Sequence, residues 1–361
     1  MRKNILLVFL IAITLILQSC EKAYKPAHGA EDEIIVVADT AEFDSLKSSL
    51  CTIFEKVIYT PQPEKMFHLK RISLNEIENY QTNKNIILLA SLNSSANTSK
   101  FVKALIDTSK SINITVDNDR IIPKYNLWAK NQLVMILTAP DISHLEECLE
   151  QHKESIFNAF HNISDKRLYE SLHNSKFEKL NTEGMLLKQY GWIVCVPSDF
   201  TIAENEPDEN YICLKSSSGK DMGKWIFVHW IDNASPLYLN EDSIRIIRNR
   251  LTASYYNYPG ISSFIKIGND NCIHDEYTFN GKYALLTQGL WEDTKETEGP
   301  FINYTFYDVN SKRVYMIDGS INAPDYYKRN LIQQLDVLLK SFKTKAELTN
   351  EKQDELLKAA E

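Results

Sequence analysis

A few groups of residues carry side chains capable of chemistry, and the spacing of each weakens it. His144, Cys148 and His152 recur every four residues, which puts them on one face of a helix. Imidazole and thiolate are zinc donors. One straight helix rarely aims three turns at one tetrahedral ion, however, and these positions adjoin the apolar stripe of Leu145, Leu149 and Ile156. They read as a core edge. His274-Asp275-Glu276 sets three ligand types side by side on a strand, where neighbours face opposite ways and so diverge. His229 alternates with Trp225, Phe227 and Ile231 and reads as a core histidine. Gly219-Lys220-Asp221-Met222-Gly223-Lys224 imitates a phosphate-binding loop, but it is one residue short and is followed by Trp225. The hydroxyl such a loop gives to Mg²⁺ is missing, so the segment reads as a hairpin turn. No GxSxG, HExxH or GxGxxG pattern occurs. The expectation is no catalytic residue, no metal ligand and no cofactor.

Other residues suit binding or modification. Tyr255, Tyr256 and Tyr258, followed by Pro259-Gly260, cluster beyond a helix starting near Ser243. With Trp291 they are the candidate surface for stacking on a glycan or a peptide; covering a sheet edge is the competing reading. Cys195 and Cys213 lie in two apolar segments that can pair as a hairpin, and are the best disulfide candidates. Beyond Cys20 there are five cysteines, an odd number, and buried thiols are the competing reading. Asp39-Thr40-Ala41, Asp44-Ser45-Leu46 and Asp242-Ser243-Ile244 resemble the O-glycosylation acceptor of exported Bacteroidetes proteins. Thr40, Ser45 and Ser243 are therefore candidate sites, although Asp-Ser and Asp-Thr also open helices.

The N-terminus reads as an address. Arg2 and Lys3 precede an apolar run of 13 residues, Ile5 to Leu17. A spanning helix needs about 20 residues, whereas the core of a signal peptide needs about 7–15. The run ends at Leu17-Gln18-Ser19-Cys20, which resembles a bacterial lipobox. That resemblance implies cleavage before Cys20 and acylation of its thiol. Two or three acyl chains then anchor a protein stably. Residues 1–19 form the signal peptide and 20–32 the lipidated cysteine and its tether. One glutamate beside a lysine, in place of an acidic cluster, points to attachment at the outer membrane facing the periplasm; the cell surface is the alternative.

Behind the tether the composition is that of a globular protein, 43% hydrophobic and 24% charged. A net charge of −8 argues against a nucleic-acid partner. Of 11 glycines only Gly29 precedes residue 183, so tight turns belong to the second half. In the first half, residues 33–180, apolar runs at Glu33–Ala38, Asn85–Leu92 and Leu133–Thr138 alternate with helical patterns, as in an α/β domain. In the second, residues 183–342, seven strand candidates lead to an antiparallel sheet, with a hairpin at Asn280-Gly281. A helix from Pro324-Asp325, striped with Tyr327, Leu331, Leu335, Leu338 and Phe342, should cross that sheet. Residues 343–361 are highly charged and read as a frayed helix or a tail. The expected fold class is α+β.

Val196-Pro197-Ser198-Asp199-Phe200, Gly289-Leu290-Trp291-Glu292, Gly299-Pro300-Phe301, Tyr315-Met316-Ile317-Asp318-Gly319, Ala323-Pro324 and Gln62-Pro63-Glu64 look like an uncharacterised family of Bacteroidetes lipoproteins. The resemblance supports the anchor and implies no functional residue. The second half also resembles the PsbP/Mog1-like layout, a curved antiparallel sheet crossed by a C-terminal helix, and a layout does not define a function. The expected role is a non-enzymatic accessory or binding lipoprotein, held to the membrane by lipid and meeting an envelope protein or glycan. An envelope hydrolase with a dispersed active site is the alternative.

Overall fold

The computed structural model describes residues 24–361 apart from 59, 108–119, 175, 218–221, 257–265 and 295–296. Cys20 and the leader, Tyr258, and Gly219, Lys220 and Asp221 of Gly219–Lys224 lie outside the described residues. The chain opens with β1 (Glu33–Val37), α1 (Thr40–Phe54), β2 (Val57–Ile58), β3 (Glu64–Lys65), β4 (His68–Ile72), β5 (Asn85–Ser91) and α2 (Asn97–Asp107). It continues through β6 (Arg120–Tyr125), β7 (Leu133–Ala139), α3 (Ile142–Leu172), α4 (Leu180–Tyr190) and β8 (Trp192–Ile193). Then follow β9 (Phe200–Glu206), β10 (Tyr211–Ser217), β11 (Gly223–Ile231), α5 (Glu241–Tyr255), β12 (Lys266–Phe279), β13 (Lys282–Glu292) and β14 (Glu298–Asp308). The last elements are β15 (Arg313–Asn322), α6 (Arg329–Lys340), β16 (Lys343–Thr344) and α7 (Asn350–Ala359). The fold class is α+β.

Two compact units result. One takes the chain up to Cys51 together with Leu69–Phe160; the other takes Thr52–His68 and His161–Glu361. The chain passes from one compact unit to the other inside α3, ahead of the change in glycine usage near residue 183. The reason is bonding. Gln333 on α6 donates to Ser164 (2.9 Å) and Asp165 (2.8 Å), and so ties the later turns of α3 to the second unit.

The first unit is built on a mixed sheet in the order β4-β1-β5-β7-β6. β1, β5 and β7 run parallel and β6 antiparallel at the edge, where Pro123 costs no ladder bond. Every residue of β5 and β7 is buried, which is why they read as unbroken apolar runs. Asp39 Oδ1 accepts from Ala41 N (3.1 Å) at the start of α1. Glu42, three residues on, does not close a capping box there; it is buried and bonds Ser91 Oγ.

The second unit holds a seven-stranded antiparallel sheet, β12-β13-β14-β15-β11-β10-β9. Alternate residues serve opposite faces. Ile212, Leu214, Ile226, Val228, Tyr304 and Ile317 share a core with Leu335, Leu338 and Leu339 of α6. Tyr211, Cys213, Trp225, Phe227 and Met316 form the opposite core with Ile244 and Leu251 of α5. Gly319 is what lets α6 approach: a Cβ there would meet Leu335 and Leu339 at 3.2–3.3 Å. The Asn280-Gly281 turn has φ of 48° and 80°, as a type I′ hairpin requires.

Two expectations need correction. α6 begins at Arg329 and not at Pro324, because its first amides are capped from elsewhere. The Glu64 carboxylate accepts from Lys328 N (2.9 Å) and Arg329 N (2.7 Å). Residues 343–361 are not a tail. β16 pairs with β8, Thr349 Oγ1 accepts from Lys352 N (3.3 Å) to start α7, and Leu356 is fully buried against α4. The charged composition hid a docked helix that needs few apolar residues, because Gly184 on α4 lets the backbones meet. Among the described residues, no helix is long and apolar enough to cross a membrane.

Candidate functional site

The tyrosine surface is the first correction at the level of sites. Tyr256 and Trp291 belong to the core under α5, at 4% and 1% exposure. Tyr256 stacks on Trp225 with centroids 5.7 Å apart, and Trp291 Nε1 donates to Ile321 O (3.0 Å) over Gly299. Tyr255 is half-buried and stacks on Tyr211 at 4.5 Å. Tyr256 and Trp291 therefore cover the sheet and offer no open face. The Cys195–Cys213 bridge is the second correction. Neither thiol is in a disulfide: Cys195 lies in the core under α6 and Cys213 in the core under α5, on opposite faces of the sheet.

Thr40 and Ser45 are exposed in the first turns of α1, and Ser45 Oγ donates to Ala41 O (2.9 Å). Ser243 is half-exposed, and its backbone N donates to the Asn240 cap of α5 (2.8 Å). His144 and His152 are exposed while Cys148 is buried, so the stripe on α3 does not converge. His144 bonds Asp141 instead (2.8 Å). His274 places one ring nitrogen 2.9 Å from Thr287 Oγ1 and the other 3.6 Å from Cys272 Sγ, while Asp275 and Glu276 are exposed.

An open cleft of about 480 Å³ lies beside β11, α5 and the turn before β10. Asp208, Glu209, Asp232, Tyr238 and Arg250 line it, with His229 behind them. Asn210, in the left-handed region at φ 51°, turns the chain so that its carbonyl takes bonds from Trp230 N and His229 Nδ1, both 3.1 Å. Its Nδ2 reaches Asp232 (3.1 Å), which also receives Arg313 Nε (2.6 Å). Arg250 and Glu209 face each other at 3.3 Å with about half of each side chain in solvent. Burial pushes the His229 imidazole down to about 4, against the opposing bond to Asn210 O, so it is neutral at pH 7. The cleft thus presents carboxylates, a guanidinium and a tyrosine ring.

Two partly buried groups hold metal-ligand side chains, and neither is legible in the spacing. His161, Asp165 and Asp336 bring their ligand atoms within 4.8 Å of one another. Lys340 already supplies their cation, with Nζ 2.6 Å from Asp336 and 3.7 Å from Asp165. Burial works against that ammonium, but the two carboxylates outweigh it and hold its pKa above the usual lysine range. His173, Glu178 and Cys195 form the second group, within the same 4.8 Å. Glu183 stands beside it, and its Oε1 accepts from Val196 N (2.9 Å). Burial, followed by the neighbouring Glu178 carboxylate, pushes Glu183 up to about 8. Burial also raises the Cys195 thiol, with Glu183 and Glu178 adding to it.

Residues 179–341 match a family described as a domain of unknown function (DUF4837), and residues 27–173 match a second one (DUF8532). No curated protein matches the chain. Among solved structures, the Ran-binding protein Mog1p of Saccharomyces cerevisiae is similar at 12% identity over 44% of this chain and 93% of that one, with a TM-score of 0.29. LpqN, involved in cell envelope biogenesis of Mycobacterium tuberculosis, is similar at 14% identity over 42% and 81%, with a TM-score of 0.27. A protein from Bacteroides thetaiotaomicron is similar at 8% identity over 44% and 46%, with a TM-score of 0.26.

Proposed function

We propose that this protein is a lipid-anchored lipoprotein of a bacterial envelope that binds a glycan and does not transform it. The observation that carries the reading is the leader: two cationic residues, 13 apolar residues and Leu17-Gln18-Ser19-Cys20. The described chain adds a cleft of suitable chemistry. Asp208, Asp232, Glu209 and Arg250 offer charged acceptors and donors for hydroxyl groups, and Tyr238, 43% exposed, offers a ring face.

Two measurements test it. Cys20→Ala should move the protein from the membrane to the soluble fraction; unchanged fractionation refutes the anchor. Soluble envelope glycan fragments should bind the full chain, and Arg250→Ala and Tyr238→Ala should each weaken binding about tenfold. Equal binding by both variants refutes the cleft. One observation favours the hydrolase as a second reading: the Cys272–His274 contact, with Thr287 on the far ring nitrogen. A thiol activated in this way would be alkylated by iodoacetamide much faster than an ordinary cysteine at pH 7. An ordinary rate removes that reading.

A further inference from the structure

We propose that His173, Glu178 and Cys195, with the Glu183 carboxyl beside them, form a structural zinc site in the second unit. Neighbouring donors in a tetrahedral zinc shell are about 3.5 Å apart, given bonds of about 2.0–2.3 Å. The three donor atoms lie within 4.8 Å of one another, so about 1 Å of closure is enough. The donor set selects the ion. A thiolate, an imidazole and a carboxylate suit zinc, whereas Mg²⁺ and Ca²⁺ take oxygen.

The surroundings hold each donor in place. His173 Nδ1 is 3.2 Å from Tyr169 O, and the ring stacks on Tyr169 with centroids 3.6 Å apart. A proton on Nδ1 leaves the lone pair on Nε2, the arrangement by which metal-binding histidines are commonly oriented. Glu178 is fixed by its β-bridge to Pro197, and Cys195 by the bond from its N to Ser341 Oγ (2.8 Å). Lys179 N donates to Val196 O (2.7 Å), which closes the loop between the two donors. Cys195 and Glu183 are buried, while His173 and Glu178 are half-buried and give the ion its way in.

The contrast with the other ligand group is informative. There Lys340 sits between the carboxylates. Among the described residues, no lysine or arginine forms an ion pair with Glu178 or Glu183, and nearby Lys352 pairs with Glu355 (2.9 Å). Lys352, the ammonium that acts on these groups from nearby, is itself bonded to Glu355, so two carboxyls and a thiol remain that a divalent ion would complete. Bound there, zinc would pin the end of α3, the first turn of α4 and the segment after β8 to one point.

The test uses the full chain without a histidine tag, stripped with a chelator and titrated with Zn²⁺. One equivalent should bind and raise the melting temperature. Cobalt in place of zinc should give a thiolate charge-transfer band. Cys195→Ser should abolish that band and weaken zinc binding at least a hundredfold. His173→Asn and Glu178→Gln, at half-buried positions that tolerate change, should each weaken it at least tenfold. Sub-stoichiometric zinc, or binding and cobalt spectra unchanged in these variants, overturns the proposal.

Discussion

Arg248 on α5 and Asp318 on β15 form an ion pair inside the second unit. Both side chains are fully buried, with Nε 2.7 Å from Oδ2 and Nη2 3.3 Å from Oδ1. Ser320 Oγ lies 2.9 Å from Nη2, Asn303 Nδ2 donates to Asp318 (3.0 Å), and the guanidinium lies 3.9 Å from the centre of the Phe301 ring. Removing one partner leaves a buried charge with no counter-charge, which costs about 3–5 kcal/mol. Asp318→Asn and Arg248→Met should therefore each destabilise the unit by that amount. In a unit of this size that is roughly 6–20 °C in melting temperature, at about 2–4 °C per kcal/mol. The double variant Arg248→Met/Asp318→Leu removes both charges, so it should cost less than the sum of the singles by about 2 kcal/mol or more. Urea midpoints at constant slope give these values, and four of the five tryptophans, Trp192, Trp225, Trp230 and Trp291, report on this unit. Single variants costing under about 1 kcal/mol, or a double variant equal to the sum, would refute the reasoning.

Glu64→Ala should cost about 2–3 kcal/mol, because it removes a charged acceptor from two buried amides at the start of α6; Glu64→Gln should recover part of this in the same unfolding assay. Gly184→Ala would put a Cβ 2.0 Å from Leu356 O, so α7 should undock and residues 345–361 should lose hydrogen-exchange protection while the sheet keeps its own. Unchanged protection there would show that the α4–α7 contact is not tight. His229 gives a pH dependence. Its folded pKa, about 4, lies below the unfolded value of about 6.5, so the unfolded chain binds the extra proton. Its contribution is complete above about pH 6.5 and is lost as pH falls through 4, in all about 3 kcal/mol. His229→Gln should remove that part of the slope, and parallel stability curves for the two proteins would count against it.

What could be read in the sequence was whatever local pattern decides. Asn280-Gly281 announces a type I′ turn because only those residues accept positive φ at low cost. β5 and β7 show as apolar runs because both of their faces are covered. What was not legible depends on distant partners. The start of α6 is set by Glu64, more than 260 residues earlier in the chain. The exposure of an aromatic is set by what packs on it, so Tyr256 and Trp291 looked like a surface and are core. Cys195 looked like half of a hairpin disulfide, yet it shares its face of the sheet with α6 and not with Cys213.

The recognisable motifs now have physical meanings, and these bear on where function can lie. In Tyr315-Met316-Ile317-Asp318-Gly319, Tyr315 and Ile317 face the core under α6, Met316 faces the other, Asp318 receives Arg248, and Gly319 admits Leu335 and Leu339. Gly299 lies under Trp291, with a Cβ there 2.2 Å from Ile321 O. Glu64 of Gln62-Pro63-Glu64 caps α6. Each position admits one kind of side chain because of what it packs against, so these motifs specify a fold. None of them lines the cleft at Asp208, Asp232 and Arg250. Most of that cleft's wall is turns and a helix face, whose side chains can vary without disturbing the sheet. Two proteins with this scaffold can therefore share every motif named here and still bind different ligands.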